Sequence, residues 1–368
     1  RGECVVDLWG GYSDDQDAPW ASNTMAPSFS TTKGVAATLL HIYADRGLID
    51  YDAPVAEYWP EFGQAGKEDI TVRQVLAHQS GLYHIRQMID RADRMLDWEH
   101  MIQAIERTEP AHKPGQRTGY HGLTFGYIVG EIVQRVSGGE FSKLVQSEIA
   151  KPLGLDGLYI GAPKQQLGRA AKLLFPDATR RLSRTRLGHY LEKYFAGMSR
   201  VLHKVGVDSD LSSIFDALAP RGISDFDFGS PESLRVAIPA GNGLFTARSL
   251  AKLYAMLANG GEFNGVRLLS EDTVKQASTL QRPTGKHSVI PFDMRWRLGY
   301  HGVFTTRGIP GQAFGHFGFG GSGAWADPAR DLSVALIVNA GMGSPFGDVR
   351  TARISGAALA CANARGER

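Results

Sequence analysis

Ser30 and Lys33 stand three residues apart in the stretch SFSTTKG, which opens an apolar run, VAATLLHIYADRGLID. A serine hydroxyl is a poor nucleophile until a base takes its proton. Residues three apart on a helix share a face, so the Lys33 amine would sit one turn from the Ser30 hydroxyl. The helix N-terminus adds partial positive charge there, and burial or a second cation lowers a lysine pKa toward neutrality. The plainer alternative is a capping serine beside a solvated lysine. Spacing alone does not choose between them, because Ser249-Leu250-Ala251-Lys252 has the same pattern. That second serine lies inside TARSLAKLY behind Thr246, the expected N-cap, and reads as structural.

Two further stretches carry chemistry-bearing groups. PGQRTGYHGLTFGYIVGEIV puts Tyr120 after a Pro-Gly turn and just before a helix. A tyrosine there is usually core, yet a phenol beside an ammonium ionises more readily and can serve as a general base. FGHFGFGGSGAWADP is a Gly-dense strand pair. Glycines let a ligand or a second strand approach the backbone, as an amide oxyanion donor requires. The alternative is a tight hairpin with His316 as a satisfied polar residue.

These groups need elements to hold them. Val35, Ala36, Leu39, Leu40 and Tyr43 recur at helical spacing from Ser30 to about Arg46, and Gly47 ends the pattern. DITVRQVLAHQSGL begins with a capping-box pair, Thr71 and Gln74, and breaks at Ser80-Gly81. LTFGYIVGEIVQRVSG, EFSKLVQSEIAKPLGL and FTARSLAKLYAMLANGG read as helices, the last capped by Thr246 and stopped by a double glycine. ECVVDLWGG alternates and reads as a strand, as if the chain entered in mid-strand with a segment before it. RWRLGYHGVF, QAFGHFGFGGSGAWAD and LSVALIVNAG read as antiparallel strands, and a last helix runs from about Phe346 to Ala362. The order predicts an α/β lobe with an antiparallel sheet from residues 1–50 and 236–368, interrupted by a mostly helical lobe from 51–235.

The 368 residues are 43% apolar, with 40 basic against 38 acidic side chains. A large core is expected, and neither nucleic acid nor an anionic membrane is implied as a partner. No apolar run approaches the 18 residues a transmembrane helix needs. Cys4 and Cys361 make no disulfide framework and read as buried free thiols, which favours a reducing, cytoplasmic setting. Between Pro163 and Lys204 ten basic residues face two acidic ones, interleaved with leucines and aromatics. The bland reading is a solvated helical face. The sharper one is a cap over a substrate pocket or a weak contact with a lipid interface.

Taken together and in order, these stretches resemble the serine β-lactamase and penicillin-recognising enzyme superfamily, above all its class C-like esterases, the family VIII carboxylesterases. FSTTKG resembles the Ser-x-x-Lys box, LAHQSGL a Leu-x-His-x-Ser-Gly-Leu stretch, and PG…GYH…FGYIVGEIV…PLGL the second-motif region. GNGLFTARSLAKLYAMLANGG is similar to the late helix, and GHFGFGGSGAWADPARDLSVALIVN to the third motif and final strands. The resemblance implies a β-lactamase/transpeptidase-like α/β fold, an antiparallel sheet flanked by helices with an inserted helical lobe. It implies Ser30 as the acylated nucleophile and Lys33 with Tyr120 as a joint proton-transfer pair. It implies the backbone amides of Ser30 and Phe319 as oxyanion donors, with His316, Gly318 and His121 against the substrate and no cofactor.

The departures bear on the substrate. Tyr120-His121-Gly122 stands where the lactamases have Tyr-x-Asn, so the amide that grips a β-lactam side chain is missing. His316-Phe317-Gly318 stands where they have Lys-Thr-Gly, and a histidine is mostly neutral at pH 7. Nucleophile, base and oxyanion donors survive, which favours small uncharged esters. The alternatives are a β-lactamase or D-amino-acid peptidase and, from another class, a non-catalytic ligand-binding or assembly scaffold. An α/β-hydrolase would need Gly-x-Ser-x-Gly, and the nearest stretch, GGSGA, ends in alanine. Eleven histidines include no His-Glu-x-x-His or His-x-His, so no metal site is expected.

Overall fold

The computed structural model of the chain describes residues 2–174, 216–223, 225–282, 287–290, 292–341 and 348–366. Most of the basic stretch expected to form a cap, from residue 175 onward, lies outside the described residues.

Helix α1 (Thr31–Asp45) runs through the middle of the molecule and is buried from Thr31 to Tyr43. Its sequence explains the placement, since a helix with few charges on any face must be covered on all sides. α2 (Val72–Leu76) begins with the expected capping box: the Thr71 hydroxyl accepts the Gln74 N–H, and the Gln74 side chain accepts the Thr71 N–H. α3 (Trp98–Arg107) and α4 (Thr124–Ser137) follow, and α4 packs along α1. Gly126 makes room on α4, because a Cβ there would sit 2.3 Å from the Ala240 backbone nitrogen. Helices α5 (Ala247–Ala258), α6 (Glu271–Ser278) and α7 (Val349–Gly366) complete the longer set. The stretch EFSKLVQSEIA is not one regular helix. It is helical over Phe141–Leu144 and continues as a π-turn over Val145–Ala150.

Strands β1 (Ala26–Pro27), β2 (Thr118–Gly119), β3 (Leu158–Tyr159) and β4 (Leu244–Phe245) are two-residue pieces, as are β5 (Glu262–Phe263), β6 (Val266–Arg267), β7 (His287–Ser288) and β8 (His301–Gly302). The longer strands are β9 (Phe314–Phe317), β10 (Gly323–Asp327) and β11 (Leu332–Leu336). They form an antiparallel sheet in the order β11-β10-β9-β8, with Ala324 opposite His316 and Ala335. A smaller sheet, β1-β4-β3, anchors the approach to α1. α1 lies against β9, and α5 covers β10 and β11.

Two expectations fail at the chain's start. ECVVDLWGG forms no strand, and Val5, Val6 and Leu8 are 65%, 71% and 85% exposed. Alternation makes a strand only where another strand accepts its hydrogen bonds, and none does so among the described residues. The stretch is held by side chains instead, with Arg248 bonding Asp7 at 2.6 Å and lying over the Trp9 ring. The cysteines are free as expected but exposed rather than buried. Cys4 rides on this uncovered stretch and Cys361 on the outward face of α7.

Candidate active site

α1 starts at Ser30, whose side chain caps nothing. Residue Phe29 before it adopts φ +43°, an uncommon conformation for a bulky residue. Its ring is clamped edge-on between Phe228 and Phe319, at centroid distances of 5.3 and 5.5 Å. The clamp and the Phe29 carbonyl, which accepts from the Thr32 hydroxyl at 2.5 Å, hold the bend that presents Ser30 at the helix mouth.

Ser30 Oγ has two partners. Lys33 Nζ is 3.1 Å away and the Tyr120 hydroxyl 2.8 Å away. Lys33 is fully buried and also donates to the carbonyls of Gly122 at 2.7 Å and Ala240 at 3.0 Å. No carboxylate pairs with it among the described residues. Burial pushes the Lys33 pKa well below the usual lysine range and raises that of the Tyr120 phenol. A neutral amine has two N–H bonds and one lone pair. The two carbonyls take the N–H bonds, and the lone pair is left for Ser30.

The carbonyls come from loops held by their own contacts. Asn242, buried, accepts the Ile238 N–H at 2.9 Å and donates to the Ser233 and Val236 carbonyls, both at 2.6 Å. It thereby shapes the loop that turns Ala240 toward Lys33. The sequence assigns no role to Asn242, to the Gly122 and Ala240 carbonyls or to His78; the LAHQSGL and GNGLF stretches that hold His78 and Asn242 are the available signal, but backbone acceptors and loop struts have no spacing signature.

The β9–β10 turn meets the mouth of α1. A Cβ on Gly318 would lie 2.2 Å from the Ser28 carbonyl oxygen and 2.9 Å from Thr31 Oγ1, so only glycine fits. Thr31 ties the turn down by donating to the Ser322 carbonyl at 3.1 Å. Among the described residues the backbone N–H groups of Ser30 and Phe319 donate to no protein acceptor. Beside the turn, Pro27, Phe29, Leu173, Phe319, Val338 and Asn339 line a small crevice with room for about one water molecule.

The two histidines expected against substrate are both buried. His121 Nε2 lies 2.6 Å from Ser80 Oγ and accepts the Leu82 N–H at 3.2 Å, while its Nδ1 faces His78. Its side chain therefore backs Tyr120 from the core, since every polar atom it has is engaged there. His316 sits under α1 beside Gly34, with Nδ1 donating to the Phe317 carbonyl at 3.0 Å. Burial lowers both pKa values, that of His121 to about 3, so both rings are neutral. Gly318 serves the close approach of β9 to α1.

Residues 1–359 match the model of the Beta-lactamase family. The Esterase/beta-lactamase LipL of Mycobacterium tuberculosis is 35% identical over 92% of this chain and 75% of its own length. The crystal structure of a family VIII carboxylesterase is 33% identical with a TM-score of 0.80, covering 98% of this chain and 90% of that one. A penicillin-binding protein homologue from Caulobacter crescentus is also 33% identical, with a TM-score of 0.81 over 95% of this chain and 87% of that one.

Proposed function

The chain belongs to the Beta-lactamase family of serine hydrolases, and from that premise we propose that it cleaves uncharged carboxylic esters through an acyl-enzyme on Ser30. The observation that carries this reading is Ser30 Oγ held between Lys33 Nζ at 3.1 Å and the Tyr120 hydroxyl at 2.8 Å. Lys33, neutral, takes the Ser30 proton as Oγ bonds to the ester carbonyl carbon. The carbonyl oxygen gathers charge, which the Ser30 and Phe319 N–H groups receive. Tyr120, kept protonated by burial, supplies a proton to the departing alcohol oxygen. The Lys33 ammonium then returns a proton to the Tyr120 phenolate, so that one proton has passed from nucleophile to leaving group, and water reverses the sequence in deacylation. One oxyanion donor is typically worth about 2.7–4 kcal/mol of barrier.

Charge favours esters over β-lactams. His316 is neutral where the lactamases carry a lysine. Arg350, whose guanidinium reaches the Gly320 carbonyl beside the turn, is paired with Asp348 and bonded to the Ala340 carbonyl at 2.7 Å. Among the described residues a substrate carboxylate would find no cation committed to it there. In this reading residues 1–50 with 236–368 form one lobe and 51–235 the other. The free thiols fit a cytoplasmic setting with a small-molecule ester as partner.

The test is turnover of p-nitrophenyl esters of graded chain length and of nitrocefin, by wild type and Ser30→Ala. Esters should be cleaved far faster, with all activity lost in the variant. Nitrocefin turnover rivalling the esters would make the protein a lactamase. A wild-type chain that takes no fluorophosphonate label would make it a scaffold.

A further inference from the structure

We infer that His78 is a positioning residue for Tyr120, an inference that rests on the reading of Tyr120 as part of the proton-transfer pair. His78 holds both peptide neighbours of that tyrosine. Its backbone carbonyl accepts the Gly119 N–H at 2.8 Å, and its ring Nδ1 accepts the His121 N–H at 3.2 Å. One residue thereby fixes the backbone on each side of Tyr120.

The ring also shapes the pocket around the phenol. Its centroid is 5.0 Å from that of Tyr120 and 4.3 Å from that of Trp296. Trp296 stacks on Tyr120 with planes 15° apart, so the three rings form one packed unit.

The hydrogen bonds settle which nitrogen carries the proton. His121 Nε2 accepts the Leu82 N–H, so the His121 proton is on Nδ1, directed at His78 Nδ1 3.3 Å away. His78 Nδ1 accepts the His121 backbone N–H and faces the His121 ring N–H, so its own proton is on Nε2. That Nε2–H is buried with no acceptor among the described residues. The residue also sits at φ +58°, a left-handed conformation uncommon outside glycine.

A strained backbone and an unpartnered buried N–H are unfavourable in a residue that only fills space. An apolar ring of similar size would leave no buried N–H without an acceptor. What an apolar side chain cannot supply is an acceptor for the His121 N–H on a ring that also packs edge-on against Tyr120. His78 touches no reacting atom, so its effect on the reaction must pass through the phenol.

The experiment compares His78→Ala and His78→Asn, each alone and combined with Tyr120→Phe, by kcat and KM for p-nitrophenyl butyrate and by thermal melting. A loosened catalytic group can cost up to about a hundredfold in rate. His78→Ala should lower kcat by roughly thirtyfold with KM little changed. His78→Asn offers a carbonyl acceptor and tolerates positive φ, so it should stay within about threefold of wild type. On the Tyr120→Phe background, His78→Ala should cost less than about threefold, because the two changes remove one shared function.

A folded His78→Ala within about threefold of wild type overturns the inference, as does a full additive loss in the double variant. If His78→Ala does not fold, His78→Asn decides alone, and a loss above about threefold overturns it. A fully active Tyr120→Phe would instead remove Tyr120 from proton transfer. An inactive Tyr120→Phe beside an unaffected His78→Ala would leave that reading intact and remove His78 alone.

Discussion

The hydroxyl of Thr246 donates to that of Ser249 across 3.0 Å while accepting the Ser249 N–H at 3.1 Å. Ser249 Oγ in turn accepts the Gly157 N–H at 3.1 Å. The second Ser-x-x-Lys of the chain is thus a capped helix start whose hydroxyl oxygen accepts two structural hydrogen bonds. Ser30 has the same spacing to its lysine and caps nothing.

The two serines should separate cleanly on mutation. Ser249→Ala should retain kcat and lose about 1 kcal/mol of stability with its hydrogen bonds. Ser30→Ala should keep its melting temperature, lose fluorophosphonate labelling and fall by at least about a thousandfold in kcat. A labelled Ser30→Ala would point to another nucleophile.

Lys33 sets the acid limb of activity. Its ammonium form is disfavoured by burial, so the neutral base is present from well below the ordinary lysine pKa upward. kcat/KM should rise with pH through a midpoint well under 10.5 and then level off, because the buried Tyr120 phenol keeps its proton to higher pH. Lys33→Arg should be inactive throughout, since a guanidinium does not deprotonate. A limb centred at the ordinary lysine value would contradict the neutral-base reading.

Gly318→Ala should damage the oxyanion donor without touching the nucleophile. The new methyl would lie 2.2 Å from the Ser28 carbonyl, on a segment pinned by the Ser28 N–H to the Gly243 carbonyl at 2.9 Å. The turn must move, and the Phe319 N–H with it. Steady-state kinetics should show kcat reduced roughly a hundredfold or more, the scale for losing one such donor. A Gly318→Ala enzyme of wild-type kcat would leave Phe319 without that role.

Stability should fall in mild acid. Burial holds His41 and His301 to pKa values of about 4 and His121 to about 3. An unfolded histidine titrates near 6.5, so below that pH the unfolded chain binds protons that the native rings refuse. The stability from these neutral rings is complete above about pH 6.5 and is lost as pH drops toward 4, by about 1.4 kcal/mol per pH unit for each ring. Urea melts at pH 7 and pH 5 measure it. Equal stability at the two would show that the rings charge in place.

The central helix, the capping box and the Thr246 cap were legible because each rests on local spacing. The nucleophile was legible only through company, as the decoy at Ser249 shows. Other features failed for physical reasons. The N-terminal alternation carries no information about whether a neighbouring strand exists to pair with it. His121 is expected against the substrate, but its nitrogens find Ser80, Leu82 and His78 in the core. His78 acts on a backbone N–H 43 positions away and Asn242 braces the loop just before it, and no periodicity encodes either partner.

The two carbonyls on Lys33 come from residues 89 and 207 positions further along the chain. Contacts of such sequence separation are closed late in folding, since the entropy of long loops must be overcome first. A nascent or partly folded chain therefore holds a solvated, protonated lysine and an inert serine. Ester turnover during refolding should lag behind helix formation and appear only when both loops have closed. The chemistry itself becomes a clock for the final step of folding.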